Sequence, residues 1–255
     1  MVRTGPAAVC AALVVLLAAC GSDGGPTDPK STDEILVSAA GSLTAAFAEV
    51  EAAFEVANPG VDVVLNVASS SALREQILEG APVDVFASAN TSNMDQVVEA
   101  AATAGQPTTF ARNLLQIAVP PGNPAGVEGL EDFARDELLI GLCAEEAPCG
   151  DFARQALAAA GVTPAIDTNE PDVRALLTKI ETGELDAGIT YVTDVAASEG
   201  SVHGIDIPRD VNVVAAYPIV ALAAAPNPEG AAAFIAFVLS EDGQAILREF
   251  GFAPP

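Results

Sequence analysis

Apolar residues recur along this chain in two alternating rhythms. Short continuous runs at 35–39, 61–68, 83–87, 114–119, 138–142 and 187–190 predict buried strands. Between them, apolar positions fall three or four residues apart, the spacing of a helix that covers a core with one face. Leu43, Phe47, Val50 and Phe54 mark the first helix, over 43–56, which Asn58-Pro59-Gly60 stops. Leu73, Ile77 and Leu78 mark a second that ends at Gly80, and a third falls near 94–102. Gly150 introduces another, carrying Phe152, Ala156 and Leu157 and closed by Gly161. Val173, Leu176, Leu177 and Ile180 outline the next, with Pro171 in its first turn and Gly183 at its end. Residues 202–207 read as a return connection, 211–223 as two extended pieces around Tyr217-Pro218, and 231–239 and 244–250 as closing helices.

Strands alternating with helices predict an α/β fold: mostly parallel sheets with helices on both faces, and ligands bound beyond the carboxyl ends of strands. About 225 residues follow the N-terminal leader and tether described below, enough for two lobes of about a hundred residues each. With no internal repeat, the last elements close the first lobe. The expected organisation is 32–111 with 205–255 as lobe 1 and 112–204 as lobe 2, the chain crossing twice.

Candidate chemistry sits where strands stop. The run 61–68 ends in Ser69, Ser70 and Ser71 at a helix start, and 35–39 ends in Ala40-Gly41-Ser42 at another. Hydroxyls and helix-start amides that point beyond a strand form a seat for an oxyanion, although serines at such positions also serve simply as caps. Cys149 and Gly150 repeat the arrangement of strand, small residue and helix. The run 187–190 delivers Tyr191, either a core tyrosine or a donor at a strand end.

At the start, Arg3 precedes an apolar run at 7–19, too short to span a membrane and flanked as a secretory signal is, so 1–19 is expected to be removed. Leu17-Ala18-Ala19-Cys20 resembles the lipobox of bacterial lipoproteins, which implies lipid on Cys20 and a tether over 20–31, rich in Gly, Ser, Pro and Asp. Cys10 leaves with the signal. Cys143 and Cys149 then remain in an oxidising compartment and are expected to pair; a metal pair would need further ligands, and the one histidine, His203, lies beside a glycine in an expected surface loop. The formal net charge of −25 excludes nucleic acid as a partner and leaves the lipid as the means of holding a membrane.

Five segments taken together resemble the periplasmic molybdate-binding proteins of ABC importers, across nearly all of 34–252. They are AAGSLTAAF at 39–47, ASSSALREQILEGAPVDVFASA at 68–89, DVRALL at 172–177, GITY at 188–191 and FGF at 250–252. The resemblance implies a two-lobed periplasmic-binding-protein fold with the ligand in the cleft between lobes. It implies an oxyanion held by neutral donors: hydroxyls and amides of Ser42 and Ser70 from one lobe, the Val173 N–H and the Tyr191 phenol from the other. Cys149 stands where the family often has a small residue, and its amide would still donate while its sulfur joins Cys143. Glu145 and Glu146 are expected to face solvent.

The function expected is therefore an extracytoplasmic binding lipoprotein that is no enzyme, with no cofactor and no metal site beyond the metal oxyanion. It would be monomeric, anchored to the outer face of the cytoplasmic membrane, and would pass molybdate, and tungstate with it, to a membrane permease. Another tetrahedral anion such as sulfate is the nearest alternative, since only cavity size would reject it; phosphate, which carries a proton, calls for an acceptor. An exported serine hydrolase using Ser42 or Ser70 would need His203 as its base, and no Gly-x-Ser-x-Gly elbow surrounds either serine. Arg74 and Arg174 are possible anion ligands whose commoner use is surface ion pairing.

Overall fold

A computed structural model describes residues 33–255, with Met1; the rest of the expected signal at 1–19 and the tether at 20–31, with Arg3, Cys10 and Cys20, lie outside the described residues. The strands are β1 (Asp33–Ala40), β2 (Val61–Ala68), β3 (Val85–Ala87), β4 (Thr108–Val119), β5 (Ile140–Cys143), β6 (Thr168–Glu170), β7 (Ala187–Tyr191), β8 (His203–Asp206) and β9 (Val214–Ala221). The helices are α1 (Thr44–Ala57), α2 (Ser70–Leu78), α3 (Thr91–Glu99), α4 (Pro148–Ala159), α5 (Val173–Glu181), α6 (Val192–Ala197), α7 (Pro228–Leu239) and α8 (Glu241–Glu249).

The chain makes two sheets that share one strand. In the first, β1 lies between β2 and β3, parallel to both, as its continuous apolar sequence requires of a strand buried on both faces. β9 runs antiparallel to β3 and to the first part of β4, from Thr108 to Leu114. From Leu115 onward β4 pairs instead with β7 and β8, and β7 continues into the parallel strands β5 and β6. Each sheet thus has a parallel core of three strands, and the antiparallel pairs belong to the strands at the crossing.

A strand that leaves one sheet for another exposes backbone groups that need partners. Two asparagines supply them. Asn113 Oδ1 accepts from the Leu114 N–H at 2.9 Å. Asn212 accepts from the Leu115 N–H at 3.1 Å and donates to the Leu115 carbonyl at 2.9 Å.

Several boundaries differ from those the sequence predicts. The first helix opens with a 3-10 turn, Gly41–Leu43, before α1. α4 begins at Pro148, two residues before Gly150, because proline suits a helix start. Pro171 precedes the first turn of α5, whose N-cap is Asp172. The two extended pieces around Pro218 are one strand, β9; Pro218 sits opposite the register shift between Thr109 and Ala111, where a missing N–H is tolerated. His203 lies in β8 rather than in a loop.

Two close approaches seat the helices that matter for the cleft. A Cβ on Gly141 or on Gly188 would come within 2.9 Å of Leu176 Cδ1, so these glycines of β5 and β7 let α5 lie flat on the sheet. A Cβ on Gly150 would collide with the Cys143 and Ala144 carbonyl oxygens, so only glycine lets α4 rise against the turn that precedes it.

Candidate functional site

Every parallel strand that points into the cleft ends in a donor. β1 runs into the Gly41–Leu43 turn, β2 into α2, β5 into α4, β6 into α5, and β7 ends at Tyr191. Their ends surround one small cavity, and Ser42, Ser70, Cys149, Val173 and Tyr191 all line it. Its volume of about 10 Å³ is the scale of a single water, and a Cβ on Gly41 would touch Val173 Cγ2 at 3.5 Å, so the two walls stand closed on each other. Seating a tetrahedral anion requires these walls to give way slightly.

The three consecutive serines divide their tasks. Ser69 is the N-cap of α2: its Oγ accepts from the Ala72 N–H at 3.3 Å and lies 3.0 Å from Ser71 Oγ. Ser70 turns the other way, and its Oγ accepts from the Ala89 N–H at 2.9 Å. With a lone pair occupied by that amide, the Ser70 hydroxyl keeps its proton to donate. Ser42 Oγ lies 2.8 Å from the Tyr217 hydroxyl, with both groups buried.

On the opposite wall, Asp172 caps α5 by accepting from the Arg174 and Ala175 N–H groups at 2.9 and 3.0 Å. Val173, one residue earlier, therefore presents the first N–H of the helix, which has no partner one turn back. Cys149 occupies the second position of α4 in the same way, and its sulfur is bonded to Cys143 across a Cα–Cα distance of 5.7 Å. Glu145 and Glu146, in the intervening loop, are exposed.

Tyr191 is 1 % exposed, and its hydroxyl has no hydrogen-bond partner among the described residues. Leaving a buried hydroxyl unpaired costs about 1–3 kcal/mol, so such a group at a cavity wall points to a partner that the protein does not itself provide. Burial pushes the Tyr191 phenol well above its ordinary range, with the nearby Tyr217 and Asp194 adding to the effect, so it stays protonated and can donate. Asp194 accepts from Thr190 Oγ1 at 2.6 Å and from the Tyr191 N–H at 3.1 Å, which fixes the backbone at the end of β7. Its carboxyl is raised to about 6 by burial, which outweighs those two bonds.

No lysine, arginine or histidine is among the described residues that line the cavity. Arg74 bonds to Asn93 Oδ1 at 2.8 Å and to Glu75 Oε1 at 2.9 Å. Arg174 lies on a neighbouring outer groove with Thr44, Thr178 and Glu181. The charge seen by a ligand thus comes from dipoles: three helix starts and the aligned hydroxyls. Sequence reasoning missed Ala89, Pro148 and Asp172 as wall residues. Asp172 was within reach, since an aspartate just after a proline and before an apolar helical run is a cap signal.

The sequence profile of the family described as bacterial extracellular solute-binding protein matches residues 35–253. Molybdate-binding protein ModA of Mycobacterium tuberculosis is 38% identical over 97% of this chain and 96% of that protein. ModA of Escherichia coli is 34% identical over 86% of this chain and 88% of its own length. Among solved structures, the periplasmic molybdate-binding protein of Azotobacter vinelandii superposes with a TM-score of 0.77 at 19% identity, covering 87% of this chain and 99% of that one.

Proposed function

The chain belongs to the bacterial extracellular solute-binding protein family, and from that premise we propose that it captures molybdate, and tungstate with it, for the permease of an ABC importer. The observation that carries this reading is the orphaned hydroxyl of Tyr191, which lines the same small cavity as Ser42, Ser70 and the helix-start residues Cys149 and Val173. Such a wall offers protons and few acceptors, so it suits a fully deprotonated tetrahedral anion. The identities to molybdate-binding relatives support the choice of anion.

Ser42, Ser70, Cys149, Val173 and Tyr191 are the proposed ligands, and no catalytic role is assigned to them. A nucleophilic serine would need a base, and His203 is not among the cavity residues. The lobes are proposed as 32–111 with 205–255, and 112–204; the change of partners within β4, from β9 to β7, supports a passage on that strand. Anchoring through lipid on Cys20, after removal of 1–19, and a monomeric state complete the proposal.

A thermal-shift panel on residues 33–255 tests it. Molybdate and tungstate are expected to stabilise the protein, by about 2.7 kcal/mol at a hundredfold excess over Kd, and sulfate, phosphate and chromate to do little. A sulfate shift that exceeds the molybdate shift would reassign the anion, and no shift with any of them would remove the oxyanion reading.

A further inference from the structure

Ser42 is useful to an anion only if its proton faces the cavity, and a serine hydroxyl rotates freely unless something fixes it. Behind it lies a buried chain of polar groups at the crossing between the sheets. Asn113, Tyr217 and Thr193 are each at most 3 % exposed. The Asn113 amide is oriented by its Oδ1, which accepts from the Leu114 N–H at 2.9 Å. Its Nδ2 must then point the other way, where it donates to Thr193 Oγ1 at 2.7 Å and to the Tyr217 hydroxyl at 3.4 Å.

The Tyr217 hydroxyl thus has one neighbour that can only donate, Asn113 Nδ2, and one that can do either, Ser42 Oγ at 2.8 Å. The Tyr191 hydroxyl also lies near, but it acts on Tyr217 as a donor, so the phenol proton is left with Ser42 as its acceptor, and a buried proton without an acceptor is costly. It therefore goes to Ser42 Oγ, and the serine's own proton is turned away from Tyr217. We propose that Tyr217, held by Asn113, is a positioning residue that aims the Ser42 proton at the bound anion. The order of donation runs from Asn113 to Tyr217 to Ser42 to the ligand.

This inference rests on the oxyanion reading given above, and it adds a role for two residues that do not line the cavity. It also ties the anion to the sheet crossing, because Asn113 belongs to the shared strand β4 and Thr193 to α6, just after Tyr191. An anion that accepts from Ser42 strengthens each bond behind it, since hydrogen bonds in series polarise one another.

Calorimetry with molybdate on residues 33–255 decides, through a double-mutant cycle. Tyr217→Phe keeps the ring that packs edge-on against Tyr191, Phe110 and Phe252, and removes only the hydroxyl. It is expected to weaken molybdate binding about tenfold, as Ser42→Ala does, and to have no further effect in the Ser42→Ala background. In the Ser70→Ala background its effect is expected in full. Asn113→Ala, which removes the donor that biases the phenol, is expected to cost about threefold and again nothing beside Ser42→Ala; it carries the test should Tyr217→Phe not fold. Wild-type affinity in both variants, or losses that multiply with Ser42→Ala, would overturn the positioning role while leaving the oxyanion reading intact. Wild-type protein that binds no molybdate would instead remove the reading on which the role depends.

Discussion

On the wall built by β1, β2 and β3, the donor groups are already engaged by protein: the Ala89 amide holds Ser70, and the Tyr217 hydroxyl holds Ser42. On the wall built by β5, β6 and β7, the helix-start residues Cys149 and Val173 line the cavity and the Tyr191 hydroxyl has no protein partner within hydrogen-bonding geometry among the described residues. The first wall is complete as folded. The second is complete only with a ligand, so the anion's contribution to stability falls mainly there. This separates two ways of making a donor: occupying a hydroxyl's lone pair from behind, or leaving a buried proton without an acceptor.

Substitutions on the two walls should therefore act with opposite sign on the anion-free protein. Ser70→Ala strips the buried Ala89 N–H of its acceptor and is expected to cost about 1–3 kcal/mol of stability, together with about tenfold or more in molybdate affinity. Tyr191→Phe removes an unpaired buried hydroxyl. It is expected to raise the stability of the anion-free protein by about 1–3 kcal/mol while costing a similar factor in affinity. Denaturant unfolding and calorimetry on the same samples check both, and equal signs for the two variants would break the comparison.

The first wall was more legible in the sequence than the second. The strand at 61–68 and the serines after it are visible because a continuous apolar run gives way abruptly to small polar residues. Three-residue β6, Thr168–Glu170, is polar and carries no period that sequence could reveal. The long reach of β4 was hidden because 108–113, Thr-Thr-Phe-Ala-Arg-Asn, mixes both faces where the strand changes sheets. Val173 illustrates a deeper limit: its role belongs to a backbone N–H, and any residue but proline would carry the same group. Only the resemblance to known binding proteins, and then the cap at Asp172, singled it out. Tyr217 and Asn113 were invisible as partners because they lie 104 residues apart in the chain.

The wall that depends on a ligand also contains the carboxyl most displaced by burial. Asp194 titrates near 6 in the folded protein against 3.8 as its ordinary value. A raised carboxyl pKa means that the folded state holds its proton longer than the unfolded chain. The associated stability is fully present below about 4 and is lost as pH rises through 6. Asp194→Asn should therefore match the wild type near pH 4 and exceed it by about 3 kcal/mol at pH 7.5, provided the amide oxygen still accepts from Thr190 and Tyr191. Thermal melts across that range test this. A wild type that gains stability over the variant as pH rises would show that the two hydrogen bonds to Asp194 outweigh its burial.

The smallest effect concerns salt, and it bears on both walls at once, because neither contributes a cation. The chain carries a formal charge of −25, and a dianion approaching it is repelled over the long range. Once seated, it is held by hydroxyls and helix-start amides in a closed, largely dry space, where screening by mobile ions is weak. Added sodium chloride should then raise the association rate about two- to threefold between 10 and 150 mM and leave the dissociation rate nearly unchanged, the reverse of electrostatic steering. Stopped-flow binding over a salt series measures both rates separately. Affinity that instead falls steeply with salt would mean that a cation reaches the anion. Arg174, on the groove beside the cleft, would be the first to substitute, ahead of Arg74, which Asn93 and Glu75 already hold. In that case the contrast between the walls would give way to a site whose affinity is set by one charged side chain.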